Sequence, residues 1–450
     1  MRRSISILSC LVLVVALSGG ARAQEPPAAS AGTAAPTHLS LQDAIHEAME
    51  ANPGLNALAH RATAAERDAR AAARRRFGEV DAVGWYSRYR DDQIVRPIAR
   101  ELLGGGFGTL PFDRNQLHYG VTFRVPLYLG GKLSSGIAVS RLESERAAAL
   151  LQGTRWQLRF NVTSLYAAAQ TLDLVEQALG RQIAALQKTR KRLDLMVASG
   201  KRPEIDRLKV VESLEDARAQ REEIRAQRTK VGALLLAVLG RDPSSELEVD
   251  PFPERLPDLA TPARELRAAM EDTSEVRRAR LAAEQASRGV TVARSSFIPS
   301  IFAAGNYMQN TAPSIEDPLD TWEVRVGVTV PLFAGGSRVE ELHAAREREE
   351  AARMAYARTR LEALSRLEDA LAAFTAARAK VRAAEARVAA GVEAARIEQI
   401  RYDTGAGTIE DLLRARAREE AARAARARAR GAVITAGERI NSIVEKEAVK

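Results

Sequence analysis

Five histidines, His38, His46, His60, His118 and His343, have the widest chemistry open to them in this chain, and their spacing supports none of it. His46-Glu47 is not followed by the second histidine that a zinc-hydrolase helix needs. Gly130-Gly131-Lys132 lacks both the upstream glycine and the hydroxyl residue of a phosphate-binding loop. The run Gly104-Gly105-Gly106-Phe107-Gly108 has no strand-to-helix context and reads as an exposed loop between two strands. The basic run ARAREEAARAARARAR, residues 415–430, carries glutamates among its arginines and reads as a solvated helix face. No enzyme, cofactor or metal centre is expected.

Two acids remain, and their interest lies in position. Asp206 stands six residues after Gly200, and Asp411 six residues after Gly405. Each glycine would close one helix and each aspartate would sit in the first turn of the next, where a negative charge meets the helix dipole favourably. The elements around them are long. From Gly131 to about Ser199 only isolated glycines break the helical pattern. Seventy helical residues span about 105 Å, a rod that coiled coils and tubes use and compact domains do not. Composition agrees, with 28 % charged and 5 % aromatic residues in a chain of 450 rich in Ala, Arg, Glu and Leu.

The N-terminus reads as a secretory signal: basic Arg2 and Arg3, apolar Ile5 to Leu17, then Ala21-Arg22-Ala23 as cleavage site. Residues 1–23 are assigned to it and 24–38 to a flexible leader. The only cysteine, Cys10, lies inside this signal. Removing Arg2, Arg3 and Arg22 lowers the net charge from +9 to +6, which with export argues against a nucleic-acid partner. No run of 18 apolar residues follows the signal, so membrane insertion would have to use a β-barrel.

The chain is written twice. Val125-Pro-Leu-Tyr-Leu-Gly-Gly131 returns as Val330-Pro-Leu-Phe-Ala-Gly-Gly336, an offset of 205 that also lays Arg141 on Arg346, Gly200 on Gly405 and Asp206 on Asp411. Residues 39–242 form one repeat and 263–450 the other, joined by a proline-rich connector at 243–262. Each repeat reads as helix, β-hairpin (79–129 and 297–334), long helix, turn (200–203 and 403–407) and helix. Fourteen of the 21 aromatic residues lie in 77–128 and 297–333. There Val121, Phe123, Val125 and Leu127, and again Trp322, Val324, Val326, Val328 and Val330, alternate with polar residues. Such alternation over ten residues is a strand with one apolar face, long enough to cross a bilayer when tilted. Four strands cannot close a barrel, so the chain must associate; three chains sharing twelve strands is the simplest closed ring.

These residues resemble the TolC-like outer-membrane efflux proteins over nearly the whole mature chain. The resemblance implies a mainly α fold with a membrane β-barrel part: a trimer whose shared 12-stranded barrel continues into a long α-helical coiled-coil tunnel in the periplasm. It implies the exit duct of a tripartite efflux or type I secretion system in the outer membrane, with an inner-membrane pump and a periplasmic adaptor (membrane fusion) protein as partners. It identifies Pro126, Gly130, Gly131, Pro331, Gly335 and Gly336 as the barrel-to-tunnel junctions. Tyr402-Asp403-Thr404-Gly405-Ala406-Gly407-Thr408-Ile409-Glu410-Asp411-Leu412-Leu413 resembles the family's periplasmic tip. By that resemblance Asp206, Asp411 and Tyr402 belong to the aperture, Tyr402 and Asp206 hold it shut, and Gly200 and Gly405 face the adaptor. Gly407 stands where a basic residue can occur, Arg414 replaces an acid, and Lys201 and Arg202 flank the first turn. An exported coiled-coil scaffold without a pore is the alternative.

Overall fold

The structure, a computed structural model, describes residues 37–97, 100 and 110–449. The signal segment with Cys10, most of the leader and the Gly104–Gly108 run lie outside the described residues.

Thr37–Leu39 (β1) leads into helix Leu41–Ala51 (α1), whose first turn is capped by the Ser40 hydroxyl accepting from Asp43 N–H at 3.1 Å. Asn52 and Pro53 end α1 and start Pro53–Arg74 (α2): the Asn52 side chain accepts from Leu55 N–H, and Pro53 takes the position where a missing N–H costs nothing. Strands Glu79–Ile94 (β2) and Phe112–Tyr128 (β3) follow, then the helices Lys132–Ala198 (α3) and Glu204–Leu239 (α4). Leu247–Val249 (β4) pairs in parallel with β1, which fastens the start of the chain to the connector. The second repeat runs through Ala263–Ala269 (α5), Ser274–Ser295 (α6), Ser300–Thr311 (β5), Leu319–Thr329 (β6), Ser337–Asp403 (α7) and Ile409–Val444 (α8). Helices α3 and α7 each have 67 residues, and α4 and α8 each have 36. The two hairpins are unequal: β2 and β3 have 16 and 17 residues against 12 and 11 in β5 and β6, so the insertion in the first repeat lengthens its strands.

The four long strands form one antiparallel sheet in the order β2-β3-β5-β6. One face carries Val80, Val121, Phe123, Val324 and Val326, most of them exposed, and Trp322 on it is 72 % exposed. The opposite face is built in register rows: Glu79, Arg124, Ala304 and Arg325 form one, and Asp81, Thr122, Asn306 and Glu323 the next. Glycine makes room for aromatic rings on both faces. A Cβ on Gly305 would lie 2.5 Å from the Phe123 ring, and one on Gly327 would lie 2.4 Å from the Phe302 ring.

Below the sheet, α3 pairs with α4 and α7 with α8, while α3 also packs on α8 and α6 bridges α3 and α7. The core is therefore a set of narrow seams. One joins Ala44 and Ala48 to Val162, Tyr166, Leu235 and Leu239. A second joins Val276 to Leu367, Phe374, Val433, Ile440 and Val444. A third, at the far end, draws on both coils and includes Leu193, Val210, Tyr402, Ile409 and Leu412. Among the described residues no helix is long and apolar enough to cross a membrane.

Candidate functional site

At the sheet's lower end the chain must turn from extended to helical twice, and paired glycines do it. Gly130 and Gly131 have φ of 61° and 88°, and Gly335 and Gly336 have 59° and 83°, a left-handed backbone that a side chain would strain. Gly131 and Gly336 are the residues on which α3 and α7 begin. The surroundings differ. A Cβ on Gly130 would meet Ile298 at 2.7 Å, whereas Gly335 and Gly336 face open space. The prolines differ too. β6 stops at Thr329, before Pro331, but β3 continues past Pro126 to a Tyr128–Ile301 pairing across an irregularity in register. The bulge admits a residue that has no N–H to give to the ladder.

At the opposite end both helix pairs turn through a left-handed glycine, Gly200 with φ 69° and Gly405 with φ 82°. Nothing lies within 4 Å of where a Cβ on either would stand, so both turns present bare backbone outward. Thr408 caps α8 by accepting from Asp411 N–H at 3.1 Å and donating its hydroxyl to the Asp411 carboxylate at 2.7 Å. That hydroxyl holds the Asp411 carboxyl below the ordinary aspartate range. Asp206 is half-buried in the first turn of α4 and lies close enough to Tyr402 for its charge to oppose ionisation of the phenol.

Tyr402 is 3 % exposed, and burial raises the pKa of its phenol. Among the described residues of the chain its hydroxyl finds no hydrogen-bond partner. The ring and backbone of Tyr402 are held instead. The Arg202 guanidinium lies 4.6 Å from the ring centroid, and its Nη2 donates to the Tyr402 carbonyl at 3.1 Å. Two ion pairs flank this contact, Arg192 to Asp403 at 2.6 Å and Lys209 to Glu410 at 3.3 Å. All three links cross from the α3–α4 coil to the α7–α8 coil, with the cation always on the first coil. A Cβ on Gly407 would lie 3.1 Å from that of Arg401, a tight contact that a side chain there would have to relieve by a small shift. Arg414 pairs within its own helix, with Glu410 at 2.9 Å. Of these three cations only Arg202 stood out in the sequence. Arg192 and Lys209 have no motif, and their partners are about two hundred residues away in the chain.

The histidines are scattered through the fold, and among the described residues no group of three or more His, Cys, Asp or Glu could hold a metal ion.

The outer membrane efflux protein family model matches residues 44–241 and 266–444. Outer membrane protein OprJ of Pseudomonas aeruginosa is 28 % identical over 225 residues, which are 47 % of this chain and 45 % of that relative, so the match spans less than half of its length. Among solved structures, a membrane protein from Pseudomonas aeruginosa superposes with a TM-score of 0.78 at 19 % identity, over 90 % of this chain and 93 % of that one. VceC from Vibrio cholerae gives 0.76 at 18 %, covering 90 % and 96 %. The CmeC outer membrane channel of Campylobacter jejuni gives 0.78 at 16 %, covering 90 % and 86 %. The structural likenesses establish the fold, mainly helical with a strand region. The family match covers both repeats, and on it this chain belongs to the outer membrane efflux proteins and is an outer-membrane protein whose helical part lies in the periplasm.

Proposed function

We propose that three copies of this chain form an outer-membrane channel, the exit duct of a tripartite efflux or type I secretion system. The observation that carries this reading is the four-stranded sheet with one apolar and one polar face and with both edges, β2 and β6, unpaired among the described residues. Free edges on an amphipathic sheet favour pairing with another copy, and closure in a membrane is the arrangement that satisfies every backbone group. Twelve strands from three chains place the apolar face on lipid and the polar rows around a water-filled lumen. The glycine pairs then launch α3 and α7, each about 100 Å long, toward the inner membrane.

The channel itself performs no chemistry; an inner-membrane pump supplies the energy, and a periplasmic adaptor joins the two. The bare turns at Gly200 and Gly405 are the surfaces offered to the adaptor. The tip is the gate, with Asp206 and Asp411 near the aperture and the coils closed on each other through Arg192, Arg202 and Lys209. Opening separates the α7–α8 coil from the α3–α4 coil. Extraction tests the reading directly: the protein is expected to stay in the outer membrane through urea and high salt, to leave it only with detergent, and then to show the native mass of three chains. Release by urea as a single chain would support the pore-free scaffold instead.

A further inference from the structure

The two hairpins share a register as well as a sequence pattern. Val80, Ala82, Gly84 and Tyr86 of β2 return as Ile301, Ala303, Gly305 and Tyr307 of β5. Val80 pairs with Phe123 and Gly84 with Tyr119, just as Ile301 pairs with Val328 and Gly305 with Val324. The seam between the hairpins, β3 against β5, sets Val121 opposite Tyr307, Phe123 opposite Gly305 and Val125 opposite Ala303. Where β3 has Val121, Phe123 and Val125, the repeat places Val326, Val328 and Val330 on and just beyond β6. The residue kinds of this seam therefore recur on the two edges that are unpaired among the described residues. Val326, Val328 and Val330 stand at one, and Tyr86, Gly84 and Ala82 at the other.

Two features of the β2 edge find no explanation within one chain. A Cβ on Gly305 would stand 2.5 Å from the Phe123 ring, which the next strand lays over it. Its counterpart Gly84 has no such cover. A Cβ there would meet Tyr119 at 3.6 Å and the His118 carbonyl at 3.7 Å, which are ordinary contacts, and Gly84 is not among the glycines of positive φ. On the other face Trp85 stacks on His118 with ring centroids 5.2 Å apart, yet it stays 49 % exposed. The repeat lays Trp85 on Asn306, whose partner across the β3–β5 seam is Thr122, and it turns Thr122 into Gly327 on β6. A large residue on one edge is thus matched by the smallest on the other. Gly327 also lets the Phe302 ring lean across β6. That brings the ring to within about one strand spacing, 4.8 Å, of a strand paired beyond β6.

We propose that β6 of one copy pairs with β2 of the next in the register of the internal β3–β5 seam: Val326 opposite Tyr86, Val328 opposite Gly84, Val330 opposite Ala82 and Gly327 opposite Trp85. This rests on the three-chain barrel proposed above and fixes what that reading leaves open, since a strand edge alone can pair in several registers. Val328 takes the space that glycine leaves at position 84, and the Trp85 ring, backed by its own His118, meets the Phe302 ring of the next copy. Backbone hydrogen bonds are indifferent to a slip of two residues, whereas these side-chain fits are not. No like charges come to stand opposite each other: Arg325 faces Ser87, Thr329 faces Val83, Pro331 faces Asp81 and Val324 faces Arg88.

Cys10, in the segment read as a signal, is the only cysteine, so introduced thiols report on each other. Opposite side chains have Cβ atoms about 4.5–5.5 Å apart and diagonal ones about 7–8 Å, so opposite thiols oxidise to a disulfide far more readily. Full-length Tyr86→Cys copies are co-expressed with Val326→Cys, Val324→Cys or Val328→Cys copies and mildly oxidised. Val326→Cys is expected to give at least about fivefold more covalent dimer than either of the others. Most dimer from Val324→Cys or Val328→Cys, or none from any pair, in an assembly of three chains overturns the register. A native mass of one chain overturns the three-chain reading itself, and the register with it. Tyr86→Cys also removes a hydroxyl bonded to Asn115 at 2.9 Å. If it does not assemble, Gly84→Cys decides by the same outcomes, with Val328→Cys as the opposite residue and Val326→Cys and Val330→Cys as the displaced ones.

Discussion

In the proposed channel, replacing Arg202 and removing the Tyr402 hydroxyl distinguish two ways of holding the tip shut. Arg202→Ala deletes a charge-assisted hydrogen bond to the Tyr402 carbonyl and a guanidinium stacked on its ring. Hydrogen bonds from charged groups contribute about 1.5–3 kcal/mol, and cation–π contacts add about 0.5–1 kcal/mol at partly exposed sites. Arg202 is half-buried, so the lower part of that range applies, about 2 kcal/mol per chain. At about 1.4 kcal/mol per tenfold, the ratio of open to closed tips should rise roughly thirtyfold for each chain altered. Tyr402→Phe should behave differently, because the hydroxyl it removes is buried without a partner among the described residues of the chain. Leaving such a group buried costs about 1–3 kcal/mol, so its loss should leave the tip as closed as before or tighter. Single-channel currents in planar bilayers read both outcomes, with opening frequent in R202A and at the parent level in Y402F. If Y402F opens the channel as much as R202A, the phenol rather than the arginine holds the tip, through Asp206, and the reasoning fails.

Three further outcomes follow from the same contacts. Glu445, at the end of α8, accepts from Ser274 N–H at 3.0 Å and from its hydroxyl at 2.7 Å, so E445A should cost about 1–2 kcal/mol as a lost helix cap. E445Q should stay near the parent in thermal unfolding, and equal losses in both variants would deny the cap. Burial raises the pKa of Glu438 and Glu445, whereas that of Asp411 is lowered. A raised carboxyl contributes stability that is present below its unfolded pKa, about 4.3, and lost as pH rises through its folded one; a lowered carboxyl contributes stability above its unfolded pKa, about 3.9, that is lost as pH falls through its folded one. Protection from hydrogen exchange around Glu438 and Glu445 should therefore rise as pH falls from neutrality toward about 4.3, while the start of α8 should lose protection only below about pH 4; the reverse order would refute the assignment. On the sheet, G305A should reduce detergent-stable assembly more than G327A. The added methyl at Gly305 meets the Glu323 carbonyl at 2.6 Å as well as a ring, whereas at Gly327 it meets the Phe302 ring alone. Equal yields would show that the backbone there yields as easily as a side chain.

Much of the architecture was legible in the residues because it rests on local periodicity. Apolar residues two apart in Val121–Leu127 and Trp322–Val330 can share a face only in a strand, and both segments lie wholly or mostly in strands. The glycine pairs announced a backbone that side chains resist, and all four have positive φ. The caps at Ser40 and Asn52 are local too, each side chain accepting from a backbone N–H three residues on. The long-range details were not legible. Pro126 lies within β3 because a bulge, formed jointly with β5, accommodates it. Thr37–Leu39, at the end of a stretch read as flexible leader, pairs with a strand more than two hundred residues later.

The sequence alone therefore determined the helix and strand segments, the positive-φ glycines at their ends and the amphipathic sense of the sheet, because each depends on neighbours along the chain. Tertiary structure alone decided which groups meet across the coils. It set Arg202 on Tyr402, Arg192 on Asp403 and Lys209 on Glu410, and it left the Tyr402 hydroxyl without a partner among the described residues. Those contacts depend on the axial and rotational setting of one long helix pair against another. A shift of a single helical turn, 5.4 Å, would exchange every partner while leaving the local pattern of the sequence unchanged.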